Sequence, residues 1–181
     1  MNRSVVVYKS KYGATEKYAK WIAEELACDI FERGGLKPTD LERYDTIIYG
    51  GGLYAGGVNG IELLTKNFDL LRRKNLVLFT CGLADPLAKD NIDHIKNSLN
   101  KVFTAQMQER IRVFHLRGAI DYAKLSPVHK AMMAMLHRMT LKKGSDSLRD
   151  EDKQLLATYG KAVDFTDKAT ISPIVRYVQG L

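Results

Sequence analysis

The sequence predicts an α/β fold: a doubly wound, five-stranded parallel sheet with helices on both faces and a helical insertion before the last helix. Three observations predict it. Short, nearly all-apolar runs recur along the chain, most of them break at a glycine-containing loop, and an amphipathic segment follows most of those loops. Strands without polar alternation are buried on both faces, which an alternating strand and helix order achieves in a parallel sheet.

Ser4 to Tyr8 (SVVVY) is the first strand, and it stops at the polar stretch Lys9 to Thr15. Tyr18, Ala19, Ile22, Ala23 and Leu26 then recur at spacings of three and four, with Glu16, Lys17, Lys20, Glu24 and Glu25 on the other side, so a helix follows. A weaker strand at Cys28 to Phe31 leads through Gly34, Gly35 and Pro38 to the strand Thr46 to Tyr49, which ends at the triple glycine Gly50, Gly51, Gly52. Leu63, Leu64, Phe68, Leu70 and Leu71 mark a helix over Ile61 to Arg73, followed by the strand Leu76 to Thr80 (LVLFT) and a loop at Cys81 to Pro86. Ile92, Ile95, Leu99, Val102 and Phe103 mark the next helix, and Arg112 to Leu116 the fifth strand. The remainder departs from a minimal five-strand unit, because Asp121 to Lys143 inserts a helical segment ahead of a terminal helix around Asp150 to Phe165. No repeat or low-complexity stretch interrupts the pattern, and residues 1–181 read as one domain.

With 181 residues and 45% hydrophobic content, such a domain can bury roughly 70% of its unfolded surface without a disulfide or metal staple. Cys28 and Cys81 have neither CxxC nor metal-ligand spacing, and His94, His115, His129 and His137 are scattered, so no metal site is expected and a reducing cytoplasm is. From Met1 the chain runs straight into a short apolar stretch, too brief for a signal-peptide core. No window approaches the roughly 20 apolar residues of a spanning helix. The net charge of +7 favours an anionic partner such as a membrane surface or a phosphorylated ligand. No nucleic-acid recognition module is legible, so nucleic acid is not expected as a partner.

In an open parallel sheet, ligands bind beyond the carboxyl ends of the strands, where strand order reverses. The first such loop reads Ser10-Lys11-Tyr12-Gly13-Ala14-Thr15 and runs into a helix N-terminus. Free N–H groups and the positive end of the helix dipole favour a phosphate there, and the Ser10 and Thr15 hydroxyls can donate to it. The loop has neither GxGxxG nor GxxxxGK[ST], which disfavours a dinucleotide fold and a P-loop NTPase. In the second loop the candidates are Gly51, Gly52, Leu53, Tyr54, Ala55 and Gly56; Gly51 and Gly52 let backbone approach a ligand closely, and Tyr54 offers a ring for stacking. The third loop contributes Cys81, Gly82, Leu83, Ala84 and Asp85, with no aromatic residue, and Cys81 reads as a small residue that fits the turn.

The string Val6 to Thr15 (VVYKSKYGAT) resembles the phosphate-loop signature of flavodoxins: two aliphatics, an aromatic, a spacer, a hydroxyl residue, two spacers, a small residue, one spacer and threonine. The likeness covers essentially the whole chain, since the second and third loops fall where flavodoxins surround the isoalloxazine ring of flavin mononucleotide (FMN). It implies a flavodoxin-like fold, non-covalently bound FMN as cofactor, and cofactor-binding roles for the residues named in all three loops. It assigns no catalytic residue.

Gly118-Ala119-Ile120-Asp121-Tyr122, followed by a basic, methionine-rich insertion, is similar to the quinone-dependent protoporphyrinogen oxidases, a flavodoxin-like subfamily of haem synthesis. That resemblance implies a flavin-dependent dehydrogenase with a porphyrin-type substrate and a quinone acceptor, working at the inner face of the cell membrane. The stretch Tyr122-Ala123-Lys124 is less aromatic and less arginine-rich than that subfamily's. A flavodoxin-type electron carrier shuttling electrons between redox proteins is the alternative, and a flavin-binding regulatory module a third. Electron-carrier flavodoxins are acidic, whereas positive charge near a flavin suits two-electron chemistry. In the insertion, Val128, Met132, Met135, Leu136 and Met139 repeat at helical spacing, and Met133 and Leu141 add apolar surface. Residues 122–143 carry Lys124, Lys130, Arg138, Lys142 and Lys143 and no acidic residue. Two readings stand side by side: a stripe packed on the sheet as core, and a face that meets an anionic bilayer.

Overall fold

The computed structural model describes residues 3–54 and 57–181. Its elements are β1 (Ser4–Lys9), α1 (Ala14–Leu26), β2 (Asp29–Glu32), β3 (Thr46–Tyr54), β4 (Gly57–Val58), α2 (Glu62–Thr65), α3 (Phe68–Leu71), β5 (Asn75–Gly82), α4 (Lys89–Asn100), α5 (Ala105–Arg110), β6 (Ile111–Arg117), β7 (Ala119–Asp121), α6 (Pro127–Leu141), α7 (Asp150–Thr158), β8 (Ala162–Asp164) and α8 (Ser172–Gln179). The main sheet runs β2-β1-β3-β5-β6, all parallel along that path. The chain moves outward to β2, then returns past β1 to β3, so strand order reverses between β1 and β3.

Period-two alternation divides the strand side chains between two cores. Val5, Val7, Ile47, Tyr49, Leu76 and Leu78 face one side, where α2 to α5 cover them. Val6, Ile48, Val77 and Phe79 face the other, under Tyr18 and Ile22 of α1 and Ile174 and Val178 of α8. Both faces are therefore dry, which is why these strands carry no polar alternation. Burying one such isoleucine contributes about 1.5–3 kcal/mol.

Four segments differ from the sequence expectation. The triple glycine continues β3 instead of ending it, with Gly50, Gly51 and Gly52 in register with Phe79, Thr80 and Cys81. A Cβ on Gly50 would lie 2.0 Å from Phe79 Cζ, so a large ring on the neighbouring strand demands this glycine. The helix expected over Ile61 to Arg73 is two short ones, because the Asn67 side chain donates to the Leu63 carbonyl (3.0 Å) and closes the first. The helix expected around Asp150 to Phe165 ends at Thr158; Gly160, in the left-handed region (φ 76°), turns the chain into β8. The terminal helix is α8, and β8 pairs antiparallel with β7, Ile120 opposite Val163. Finally, the methionine-rich stripe of α6 is not buried core: Val128, Met135 and Met139 are 67%, 61% and 57% exposed. Among the described residues no helix is long and apolar enough to cross a membrane.

Candidate functional site

The carboxyl ends of β1, β3 and β5 bring the three predicted loops together. Ser10, Lys11, Tyr12 and Gly13 form the turn from β1 into α1, with Ala14 and Thr15 in the first turn of the helix. The Gly13 N–H donates to Ser10 Oγ (3.1 Å), and Gly13 is left-handed with open space where a Cβ would stand. Among the described residues no side chain caps this end of α1. Three N–H groups, those of Ala14, Thr15 and Glu16, precede the first intrahelical bond, in which the Lys17 N–H donates to the Gly13 carbonyl (2.9 Å). Such groups at the positive end of the dipole favour an anion.

Thr15 is the junction of the loops. It is buried, its Oγ1 lies 3.4 Å from where a Gly52 Cβ would be, and its side chain stands beside the Cys81 thiol. Burial pushes the Cys81 pKa up to about 12, so this cysteine is a neutral packing residue at neutral pH. Gly51, Gly52, Leu53 and Tyr54 lie on β3, and Cys81 and Gly82 on β5. At Gly51 a Cβ would stand 2.4 Å from Val58 Cγ1 and 2.8 Å from the Asn59 carbonyl oxygen, so the protein's own chain fills that space. Ala55 and Gly56 lie outside the described residues.

Leu83, Ala84 and Asp85 form the third loop proper. The Asp85 carboxylate accepts from the Leu87 N–H (2.9 Å), and Asn91 Nδ2 of α4 donates to the Asp85 carbonyl (2.9 Å). Arg117 braces the loop from β6. Its Nε donates to the Leu83 carbonyl (3.2 Å) and its Nη2 to Gln154 Oε1 (3.1 Å), while its guanidinium lies 3.7 Å from the Phe165 ring centroid. Between the second and third loops opens a cleft of about 310 Å³, walled by Leu53, Tyr54, Leu83, Ile95, Leu136 and Phe165 among others. Its size and apolar walls suit a flat, largely apolar group.

The insertion closes over this edge. Ser126 caps α6 by accepting the His129 N–H (3.3 Å), with Pro127 at the first helical position. One turn in, His129 is buried: its Nε2 is 3.2 Å from Lys11 Nζ, its Nδ1 hydrogen-bonds Tyr12 Oη, and its ring lies 4.5 Å from that of Tyr54. Tyr54 Oη donates to Met132 Sδ (3.5 Å). At the other end Lys143 Nζ bonds both oxygens of the largely buried Asp152 (2.7 and 2.9 Å). His129 and Arg117 escape a sequence reading because their partners are distant in the chain. The signal available for His129 was a Ser-Pro helix start that fixes its place in the first turn.

Residues 5–147 match the family model of the flavodoxin domain. An uncharacterised protein of Methanocaldococcus jannaschii is 42% identical over 83 residues, 45% of this chain; the match spans 54% of that protein, about half its length. Among solved structures, oxidised Flavodoxin 2 of Bacillus cereus is 20% identical at a TM-score of 0.47, over 64% of this chain and 84% of its own. A flavodoxin, WrbA-like protein of Agrobacterium tumefaciens is 16% identical at 0.44, over 98% and 99%. A Lactobacillus acidophilus flavoprotein in complex with FMN is 16% identical at 0.44, over 65% and 93%. With most of its length matching the family model, on a parallel sheet ordered β2-β1-β3-β5-β6, the chain belongs to the flavodoxin-domain family.

Proposed function

We propose that the protein binds FMN and serves as a quinone-linked dehydrogenase of a bulky apolar substrate, with protoporphyrinogen the candidate its sequence resemblance supplies. The observation that carries this reading is an uncapped helix N-terminus at the strand-order reversal between β1 and β3, with a mostly apolar cleft one loop away, beyond the ends of β3 and β5. FMN fits the residues present on both counts. Its phosphate matches the Ser10 to Thr15 turn, where Gly13 leaves open space and Lys11 supplies positive charge. Its ring matches the cleft between Leu53 and Leu83. When bound, FMN supplies reversible one- and two-electron transfer.

The chain's own residues would then orient and shield the site. Arg117 fixes the third loop, Thr15 ties the three loops together, and α6 covers the Tyr54 side. Leu136 and Met133 line the cleft and give an adaptable apolar wall for a large substrate. The outer face of α6 also supports contact with an anionic bilayer. At 100° per residue Val128, Met132, Met135 and Met139 share one side, with Arg138 and Lys142 flanking it.

Anaerobic reduction of the FMN-loaded protein by protoporphyrinogen, followed by reoxidation with a quinone, tests the enzyme reading. Reduction and reoxidation within turnover times are expected. Exchange only with a protein reductase would instead establish an electron carrier. Equal affinity for FMN and riboflavin would overturn the phosphate site, and failure to sediment with anionic vesicles at low salt would remove the membrane contact.

A further inference from the structure

The Pro127–Leu141 helix touches the rest of the protein in an unusual way. Its apolar stripe is exposed, and the residues buried along it are His129 and Thr140. The connection to the binding loops is therefore polar and local, and it converges on one imidazole. We propose that His129 is a positioning residue that, while neutral, latches the insertion helix onto the first and second loops and holds them in the arrangement that takes FMN. The FMN half of this statement rests on the function proposed above; the latch itself does not.

The hydrogen-bond partners define the protonation state. An ammonium has hydrogens to give and no lone pair to offer, so the Lys11 Nζ contact requires Nε2 to accept. The neutral ring then carries its hydrogen on Nδ1 and donates it to Tyr12 Oη, which also accepts the Ser126 N–H (3.4 Å). The same ring packs against Tyr54 of the second loop. One side chain thus touches two residues of the phosphate turn and the candidate stacking residue, which are far apart in sequence.

Protonation breaks this arrangement, because an Nε2–H would point at the Lys11 ammonium with no acceptor between them. The titratable groups facing His129 are Lys11 and Tyr12 from the first loop and Tyr54 from the second, and none is a carboxylate that could stabilise an imidazolium. Burial and the Lys11 charge accordingly hold its pKa below the usual histidine value. With the folded-state pKa lowered, the latch is complete above the ordinary histidine range and is lost as pH falls through the lowered value.

Hydrogen exchange of the flavin-free protein, followed from about pH 7.5 to about pH 4.5 across the histidine range, tests the latch. Helix amides would be corrected for intrinsic rates and normalised to the Leu76 to Phe79 strand of the same molecule. Protection of the first turns of the helix should fall roughly tenfold in the wild type, the effect of losing one hydrogen bond on a local opening. In His129→Gln, whose amide can still accept from Lys11 but does not titrate, protection should stay level. Lys11→Met removes both the bond to Nε2 and the like charge, so its fall in protection should shrink to less than about threefold. A wild-type helix whose protection does not change, an equal fall in His129→Gln, or an undiminished fall in Lys11→Met would each overturn the latch. Titrating FMN at both ends of the range then reads the coupling to the loops. Affinity should worsen at least threefold more in the wild type than in His129→Gln, the phosphate's own titration being common to both, and equal worsening would overturn the coupling. Failure of either protein to bind FMN would sink the cofactor reading and with it the coupling, while the exchange result would still decide the latch.

Discussion

Replacing Gly50 with alanine would set a methyl carbon 2.0 Å from Phe79 Cζ and 2.5 and 2.7 Å from the two Cε atoms. Carbon atoms settle roughly 3.5–4.0 Å apart, so the ring would have to retreat by about 1.5 Å. Phe79 is fully buried in the cluster beneath α1, and close-packed interiors have no room for such a retreat. Overpacking of this kind costs about 1–3 kcal/mol, and a collision with the tip of a fully buried ring belongs at the upper end, about 3 kcal/mol. In a protein of this length that lowers Tm by roughly 6–12 °C. Phe79→Leu alone should cost about 1–2 kcal/mol through lost contact and a small cavity. The double variant should then cost about 2 kcal/mol, well under the sum, because leucine vacates the space the new methyl needs. Urea unfolding of the four proteins, followed by circular dichroism with comparable m-values, measures the cycle. A Gly50→Ala protein within about 0.5 kcal/mol of wild type, or strictly additive effects, would refute the packing role of this glycine.

Three further outcomes are expected. Thr15→Val should weaken FMN binding by about 1–3 kcal/mol through loss of a hydroxyl at a charged group, read by flavin fluorescence quenching; unchanged affinity would take Thr15 out of the site. Tyr54→Ala should shift the bound-flavin visible spectrum and cost about 0.5–1.5 kcal/mol of FMN affinity, and an identical spectrum would place the ring elsewhere. Burial, with Lys96 adding to it, pushes the His115 pKa down to about 4, so protonation favours the unfolded chain. Stability from this residue is full above about pH 6.5 and falls as pH drops from there toward about 4, by about 2 kcal/mol after discounting for partial exposure. His115→Gln should flatten that limb in urea unfolding across the range, and an unchanged slope would deny it.

The strands were legible because a strand buried on both faces writes itself as a run such as Val5 to Val7 or Leu76 to Phe79. The first loop was legible for a related reason: Ser10 to Thr15 is contiguous, and its spacing is set by one turn into one helix. Where the chain diverged from expectation, a tertiary partner decided the outcome. The glycines at 50 to 52 look like a loop signal until Phe79 stands beside them in the sheet. The break at Gly160 was readable as a helix terminator, yet the apolar Ala162, Val163 and Phe165 beyond it extended the helical pattern. The cleft is assembled from the end of β3, the third loop, α4, α6, α7 and Phe165, so no local window of sequence contains it. The exposed stripe on α6 has the same cause, since periodicity reports an apolar side without saying what lies against it.

The short ladder between β7 and β8 carries a consequence for how this protein can vary. Asp121 sits opposite Ala162, and the Phe165 N–H donates to the Gly118 carbonyl (3.1 Å), so the chain leaves the sheet and comes back at one narrow neck. The segment from Tyr122 to Lys161 enters and leaves through that neck, and beyond it meets the core through the contacts of His129 with Lys11 and Tyr12 and of Gln154 with Arg117. Its length and composition can drift without disturbing the register of the five parallel strands, because the crossover to α8 is fixed by the neck and not by what it encloses. Trimming it to a short turn between Asp121 and Ala162 would leave a smaller protein without one wall of the cleft and without the His129 contacts to Lys11 and Tyr12. Swapping one such segment for another would leave the five-stranded flavodoxin-type core in place and change what it touches.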